Sequence, residues 1–277
     1  MQYLEFEIAC TPDMGEILMA ELSQVGFDSF LQEENHIKAY VEEDNFSPEE
    51  LKGVLAYYGI DDSGVAKSLL ENKNWNEAWE RNYQPTIIAD KCYIRANFHP
   101  AKPQFPYEII IQPKMSFGTG HHATTAQMME LMLPTDFRGK EVLDMGCGTG
   151  LLAVLAHKMG AAQVTAVDND EWAYKNTLEN LHNNKVQNTD VVFGEIEDVL
   201  DSTFDIILSN ITKNINLEYL HHYSKMIHQN GRLIVSGFYK DDLNDIETQA
   251  IKLGFRLLSN KTHNNWCAAI FTYDEKK

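Results

Sequence analysis

Val142-Leu143-Asp144-Met145 runs straight into Gly146-Cys147-Gly148-Thr149-Gly150, so glycine recurs at every second position directly after an apolar segment. Glycine admits positive φ and lets a backbone approach a ligand closely, and the amides of a helix opening at Leu151 favour electron-rich groups. Strand, glycine turn and helix in that order can cradle a nucleotide-like cofactor, and can also be plain punctuation between two elements. The dinucleotide fingerprint G-x-G-x-x-G requires glycine at 151, where this chain has Leu151. That spacing disfavours NAD. Asp168 closes the next apolar run, 163–167. An acid there is placed to accept hydrogen bonds from both ribose hydroxyls of an adenosine, or to cap the helix that opens at Asn169-Asp170.

Asn210 follows a third apolar run, 204–208, at the edge where open α/β sheets bind their ligands. Its amide can orient a substrate amine by accepting one of its protons, or can simply shape the turn; both readings stand. Upstream, Ser116-Phe117-Gly118-Thr119-Gly120-His121-His122-Ala123-Thr124-Thr125 forms a second glycine-rich loop that enters a helix predicted over 124–133. This reads as a loop folding over the cofactor, with Thr124 and Thr125 either contacting it or capping the helix. No acid or histidine follows His121 or His122 four residues on, so no metal site is expected. Neither a Ser-His-Asp order nor a paired-carboxylate spacing stands out, which leaves hydrolytic chemistry without support.

The elements that must position these residues follow from periodicity. Short apolar strands are predicted at 141–145, 163–167, 190–193, 204–209 and 231–236, separated by helix-length segments. That alternation argues for βαβ units and a parallel sheet covered on both faces. Strand-like stretches at 254–259 and 265–273, joined by Lys261-Thr262-His263-Asn264, should close the sheet with an antiparallel hairpin. The first 60 residues read differently. Strand alternation over 3–10, helical spacing over 12–25, strands at 27–33 and 36–42 and a helix from Ser47-Pro48 to about Tyr58 give the order β-α-β-β-α. A small ferredoxin-like α+β domain is the expectation. Asp61-Asp62-Ser63-Gly64 marks a boundary, and Trp75 and Trp79 share one face of a short connecting helix, a spacing that favours packing over a cofactor box. The expected domains are 1–66, a linker helix at 67–84, and 85–277.

Composition bounds the function. A chain of 277 residues with 44% hydrophobic and 23% charged side chains can bury a sizeable core. Its longest apolar run, 151–156, is far too short to span a bilayer. The N-terminus alternates apolar and acidic residues and lacks a secretory pattern, so a cytoplasmic location is expected. Cys10, Cys92, Cys147 and Cys267 are scattered, which points to reduced thiols rather than a disulfide framework or a zinc site. The net charge of −18 opposes direct nucleic-acid binding. Residues 1–80 hold 18 acidic and 4 basic side chains, a net of −14, so the first domain either meets a basic partner or uses its charge for solubility.

The set D-M-G-C-G-T-G, an acid closing the second strand and S-N-I closing the fourth resembles the seven-stranded, Rossmann-like S-adenosylmethionine-dependent methyltransferases. More specifically, F-G-T-G-H-H-A-T-T ahead of that set, preceded by N-W-N-E-A-W-E-R-N-Y-Q-P, is similar to the PrmA family, bacterial methyltransferases of ribosomal protein L11. The likeness covers nearly the whole chain, including a small N-terminal domain of the kind the family uses to recognise its substrate. It departs at His121 and Ala123, where the family usually has threonine and proline. The resemblance implies transfer of methyl groups from S-adenosylmethionine to lysine side-chain amines and the N-terminal amine of that basic ribosomal protein. It also implies a cofactor site at Thr125, Gly146, Gly148, Gly150 and Asp168, with Asn210 at the methyl-transfer edge. The alternatives are a methyltransferase of the same fold acting on another protein or a small molecule, and a non-catalytic module that docks on the ribosome.

Overall fold

The computed structural model describes residues 3–33, 35–60, 65–70, 83–112 and 117–274. It divides into two units, residues 1–81 and 82–277. In the first, alternation sends Leu4, Phe6 and Ile8 of β1 (Tyr3–Ala9) into the core while Glu5 and Glu7 face outward. Helix α1 (Pro12–Gln24) opens on a proline in its first turn and is followed by Gly26 at φ +93°. Strands β2 (Ser29–Gln32) and β3 (His36–Glu42) follow, and α2 (Pro48–Tyr57) starts at Ser47, whose hydroxyl accepts the Glu50 amide at 3.4 Å. Leu18 and Leu22 of α1 and Leu51 and Leu55 of α2 cover one face of the sheet.

The first unit is one strand larger than the sequence suggests. Residues 65–70, expected to lie at a domain boundary and in a linker helix, form β4 (Val65–Leu70), which pairs antiparallel with β1 from Tyr3↔Leu70 to Ile8↔Val65. The sheet order β2-β3-β1-β4, antiparallel at every pair, completes the ferredoxin-like split βαβ. The strand escapes sequence reading because V-A-K-S-L-L lacks clean alternation: an edge strand needs only one neighbour and tolerates Lys67 and Ser68. The remainder of the expected linker helix, with Trp75 and Trp79, lies outside the described residues.

In the second unit, a three-stranded sheet of β5 (Thr86–Ile88), β6 (Cys92–Arg95) and β7 (Tyr107–Ile110) precedes the main sheet and was not anticipated. The main sheet has seven strands: β8 (Glu141–Met145), β9 (Gln163–Asp168), β10 (Thr189–Phe193), β11 (Phe204–Asn210), β12 (Ile227–Tyr239), β13 (Phe255–His263) and β14 (Trp266–Tyr273). Their order is β10-β9-β8-β11-β12-β14-β13, with β14 antiparallel to both neighbours. The helices are α3 (Ala123–Met132), α4 (Leu151–Lys158), α5 (Glu171–Asn183), α6 (Lys213–Met226) and α7 (Leu243–Lys252). Separate apolar clusters on the two faces enclose the sheet, one including Leu152, Leu155 and Leu208, the other Leu143, Ile207 and Leu233. This is why β8, β9 and β11 read as nearly continuous apolar runs. Among the described residues no helix is long and apolar enough to cross a membrane.

Register places the site. Met145 pairs with Val167 on one side and Ser209 on the other, so the residue after each strand's last buried position emerges at a single edge. Gly146 is thereby flanked by Asp168 and Asn210.

Candidate active site

The glycine turn takes three left-handed steps, with φ of +70° at Gly146, +57° at Gly148 and +75° at Gly150. A side chain would be strained at each position. Space is closed as well: a Cβ on Gly146 would collide with Ile211 and one on Gly148 with the Phe117 carbonyl. Gly150 is the N-cap of α4, and a Cβ there would press on Thr177. The turn thus lies against the chain on both sides, and its amides from Gly146 to Gly150 all donate within the protein, to Val167 O, Asp168, Phe117 O and Cys147 O.

The upstream loop is bolted to this turn. The Thr149 amide donates to Phe117 O at 3.0 Å and the Thr149 hydroxyl to Gly118 O at 2.7 Å. Tyr83, almost fully buried, donates to Thr119 O at 3.0 Å. The two histidines take separate partners: His122 caps α3 by accepting the Thr124 amide at 3.3 Å, and His121 Nε2 lies 2.8 Å from the Gln84 carbonyl. Among the described residues, no three His, Cys, Asp or Glu side chains converge as metal ligands do.

Phe117, Gly118, Thr125, Gly146, Thr149 and Asn210 line one crevice. The structure therefore brings together Thr125, Gly146 and Asn210 as the sequence expects. Asp168 adjoins the turn rather than the crevice wall, accepting the Gly148 amide at 2.8 Å on one oxygen and the Asp170 amide at 3.0 Å on the other. Gly148 and Gly150 shape the turn from behind. Asn210 Nδ2 lies 3.4 Å from Thr125 Oγ1, and Asn210 Oδ1, although buried, has no hydrogen-bond partner among the described residues. A buried acceptor left open is costly unless something outside the protein satisfies it.

Sequence reasoning did not assign Asp144. Its side chain is 1% exposed beneath the turn, with Oδ2 accepting the Ala153 amide at 3.0 Å and Oδ1 unpartnered among the described residues. Burial, reinforced by the Asp168 charge and opposed by the Ala153 amide, raises its carboxyl to about 7. Also missed was a row of buried polar groups on α5. Thr177 donates to Gly148 O at 2.9 Å and Asn180 to Thr149 O at 2.8 Å, while Asn180 accepts the Gln112 amide at 2.7 Å. They occupy two of the turn's carbonyls and tie α5 to it. Asn176, Thr177 and Asn180 share helical spacing, a signal that was present but looks like an exposed face when read for apolar residues alone.

Comparison with known proteins identifies the family. The family described as ribosomal protein L11 methyltransferase (PrmA) matches residues 5–274. The chain is 39% identical to the ribosomal protein L11 methyltransferase of Phocaeicola vulgatus over 98% of its length and 99% of that protein. It is 40% identical to the protein of that name from Porphyromonas gingivalis, with 100% of both chains covered. A solved ribosomal protein L11 methylase from Lactobacillus delbrueckii subsp. bulgaricus shares the fold, at TM-score 0.64 and 23% identity, across 70% of this chain and 100% of the other. A match that runs from the first strand to the last, through both units and the glycine crevice alike, places this chain in the ribosomal protein L11 methyltransferase (PrmA) family, enzymes that use S-adenosylmethionine.

Proposed function

We propose that this methyltransferase modifies lysine side-chain amines and the N-terminal amine of ribosomal protein L11, with Asn210 receiving the amine. The observation that carries the reading is the buried Asn210 Oδ1, without a partner among the described residues, in a crevice it shares with Thr125 and Gly146. The crevice would suit S-adenosylmethionine: it lies at a tight glycine turn at the head of α4, with the Asp168 carboxylate at the adjoining strand end. When bound, that cofactor supplies an electrophilic methyl group on a sulfonium.

The protein's part is to hold and prepare the nucleophile. A lysine amine has an ordinary pKa of about 10.4 and must shed a proton before it can attack. Entering a crevice walled by Phe117 and Leu152 desolvates the ammonium and favours the neutral amine. Thr125 Oγ1, accepting from Asn210 Nδ2, keeps the amide turned so that Oδ1 accepts an N–H of the amine. The nitrogen lone pair then points away from Asn210, and attack requires an approach of about 3 to 3.5 Å in line with the leaving group. Asp168 and the glycine turn would hold the adenosine end of the cofactor. Thr125 bridges the loop and the acceptor, which couples cofactor enclosure to amine placement.

The test is transfer of labelled methyl from S-adenosylmethionine to purified L11, followed by mass mapping. Label on lysines and on the N-terminal amine supports the reading. Label that bypasses L11 and enters another protein or a small molecule favours the alternative substrate, and no transfer at all would point to a docking module.

A further inference from the structure

Ser209, Asn216, Tyr223 and Ser236 are polar side chains wholly buried in the layer behind Asn210. Their hydrogen bonds form a directed chain. Ser209 Oγ donates to Asn216 Oδ1 at 2.8 Å, and because a hydroxyl carries one proton, the Tyr223 hydroxyl at 3.0 Å must donate to Ser209. Asn216 Nδ2 then spends both protons on backbone carbonyls, Ile211 O at 2.9 Å and Ser236 O at 2.9 Å. Ser236 Oγ donates onward to Cys267 O at 2.8 Å, which joins β14 to the chain.

The target of this chain is the peptide next to Asn210. Ile211 is gripped twice more: its side chain fills the space where a Gly146 Cβ would lie, and its carbonyl fills that of Gly237, whose φ is +92°. Asn216 satisfies two backbone carbonyls at once, which no apolar side chain of its shape could do. Building on the assignment of Asn210 above, we propose that Asn216 is a positioning residue that holds the Ile211 carbonyl and so fixes the backbone from which Asn210 presents Oδ1 to the substrate amine. The clamp acts at the nucleophile end of the crevice, holding the Ile211 carbonyl, and reaches the glycine turn only through the Ile211 side chain against Gly146.

Four full-length proteins decide it: wild type, Asn216→Leu, Ser209→Ala and Asn210→Ala. Each is measured for kcat and KM with L11 and for S-adenosylmethionine Kd by calorimetry. Asn216→Leu keeps the shape and removes both carbonyl contacts, so kcat should fall roughly 10- to 100-fold, as misplacement of a reacting group does. KM for L11 and cofactor Kd should stay within about twofold, the pattern of a loss felt in the transition state alone. Ser209→Ala removes the bond that orients Asn216, together with the acceptor of the Tyr223 hydroxyl, and should lower kcat about 3- to 10-fold with the same split. A kcat within about twofold of wild type in both variants, or cofactor affinity lost in step with kcat, overturns the proposal. If Asn216→Leu does not fold, Ser209→Ala decides by the same criteria. Unchanged turnover in Asn210→Ala would instead remove the Asn210 assignment, whereas loss there beside a normal kcat in both clamp variants removes only the positioning role.

Discussion

Asp144 shows how one side chain can tie the cofactor turn to pH. Its carboxyl is held at about 7 by burial, against an ordinary carboxylate value near 4, so between those two values the folded protein keeps a proton that the unfolded chain has lost. The native state then binds more protons than the unfolded state, and stability falls as pH rises from about 4 to 7, by at most about 1.4 kcal/mol per unit from this group. Above about 7 both states are ionised and the contribution is level. Asp144→Asn should therefore flatten the urea-unfolding free energy between pH 5 and 7 relative to wild type. Parallel slopes for the two proteins over that range would show that Asp144 does not titrate there. The residue was visible in the glycine motif, but its burial was not: the sequence places an acid at the end of a strand without telling whether the next helix covers it. Asn210 was legible for the opposite reason, since the register of three parallel strands brings it beside Gly146 whatever the helices do.

Elements were legible in proportion to how fully they are buried. Strands β8, β9 and β11 are covered on both faces and appear as nearly continuous apolar runs, so their limits shift by no more than a residue from the predicted ones. Strand β4 and the β5–β7 sheet are short, carry Lys67, Thr86 or Glu108, and answer to partners distant in sequence, so no local period marks them. The glycine turn is the element on which the crevice depends, and it makes a sharp demand. Gly148→Ala would combine a left-handed φ of +57° with a collision against the Phe117 carbonyl. A loss of roughly 1 to 3 kcal/mol in stability is expected, from strain of this kind. S-adenosylmethionine affinity should drop with it, because the bolted loop must shift. Chemical denaturation and calorimetry check both, and an alanine variant with wild-type stability and affinity would mean the turn is not held as described.

At the scale of the whole molecule, charge is divided unevenly between the two units. Residues 1–80 carry −14 of the total −18, and the open face of the first sheet presents Glu5, Glu7 and Glu42. The Tyr3 phenol, hydrogen-bonded to Asp28 at 2.9 Å, is pushed up to about 12 by that bond and its acidic neighbours. We read this unit as the capture surface for a basic ribosomal protein, so raising salt should increase KM for L11 several-fold while cofactor affinity changes much less, since exposed charges separated by more than about 8 Å are screened at physiological ionic strength. A KM that stays flat as salt rises would assign the acidity to solubility. The second unit carries a different kind of commitment. Strand β14 lies between β12 and β13, and its turn from β13 uses Asn264 and Asn265, both at positive φ, as tight hairpins require. The hairpin can zip up locally, but until it arrives β12 offers a row of bare amides and carbonyls to any passing strand. Self-association during refolding is therefore governed by how quickly that last ribbon slots home, and damage to its turn would surface first as precipitate rather than as slow turnover.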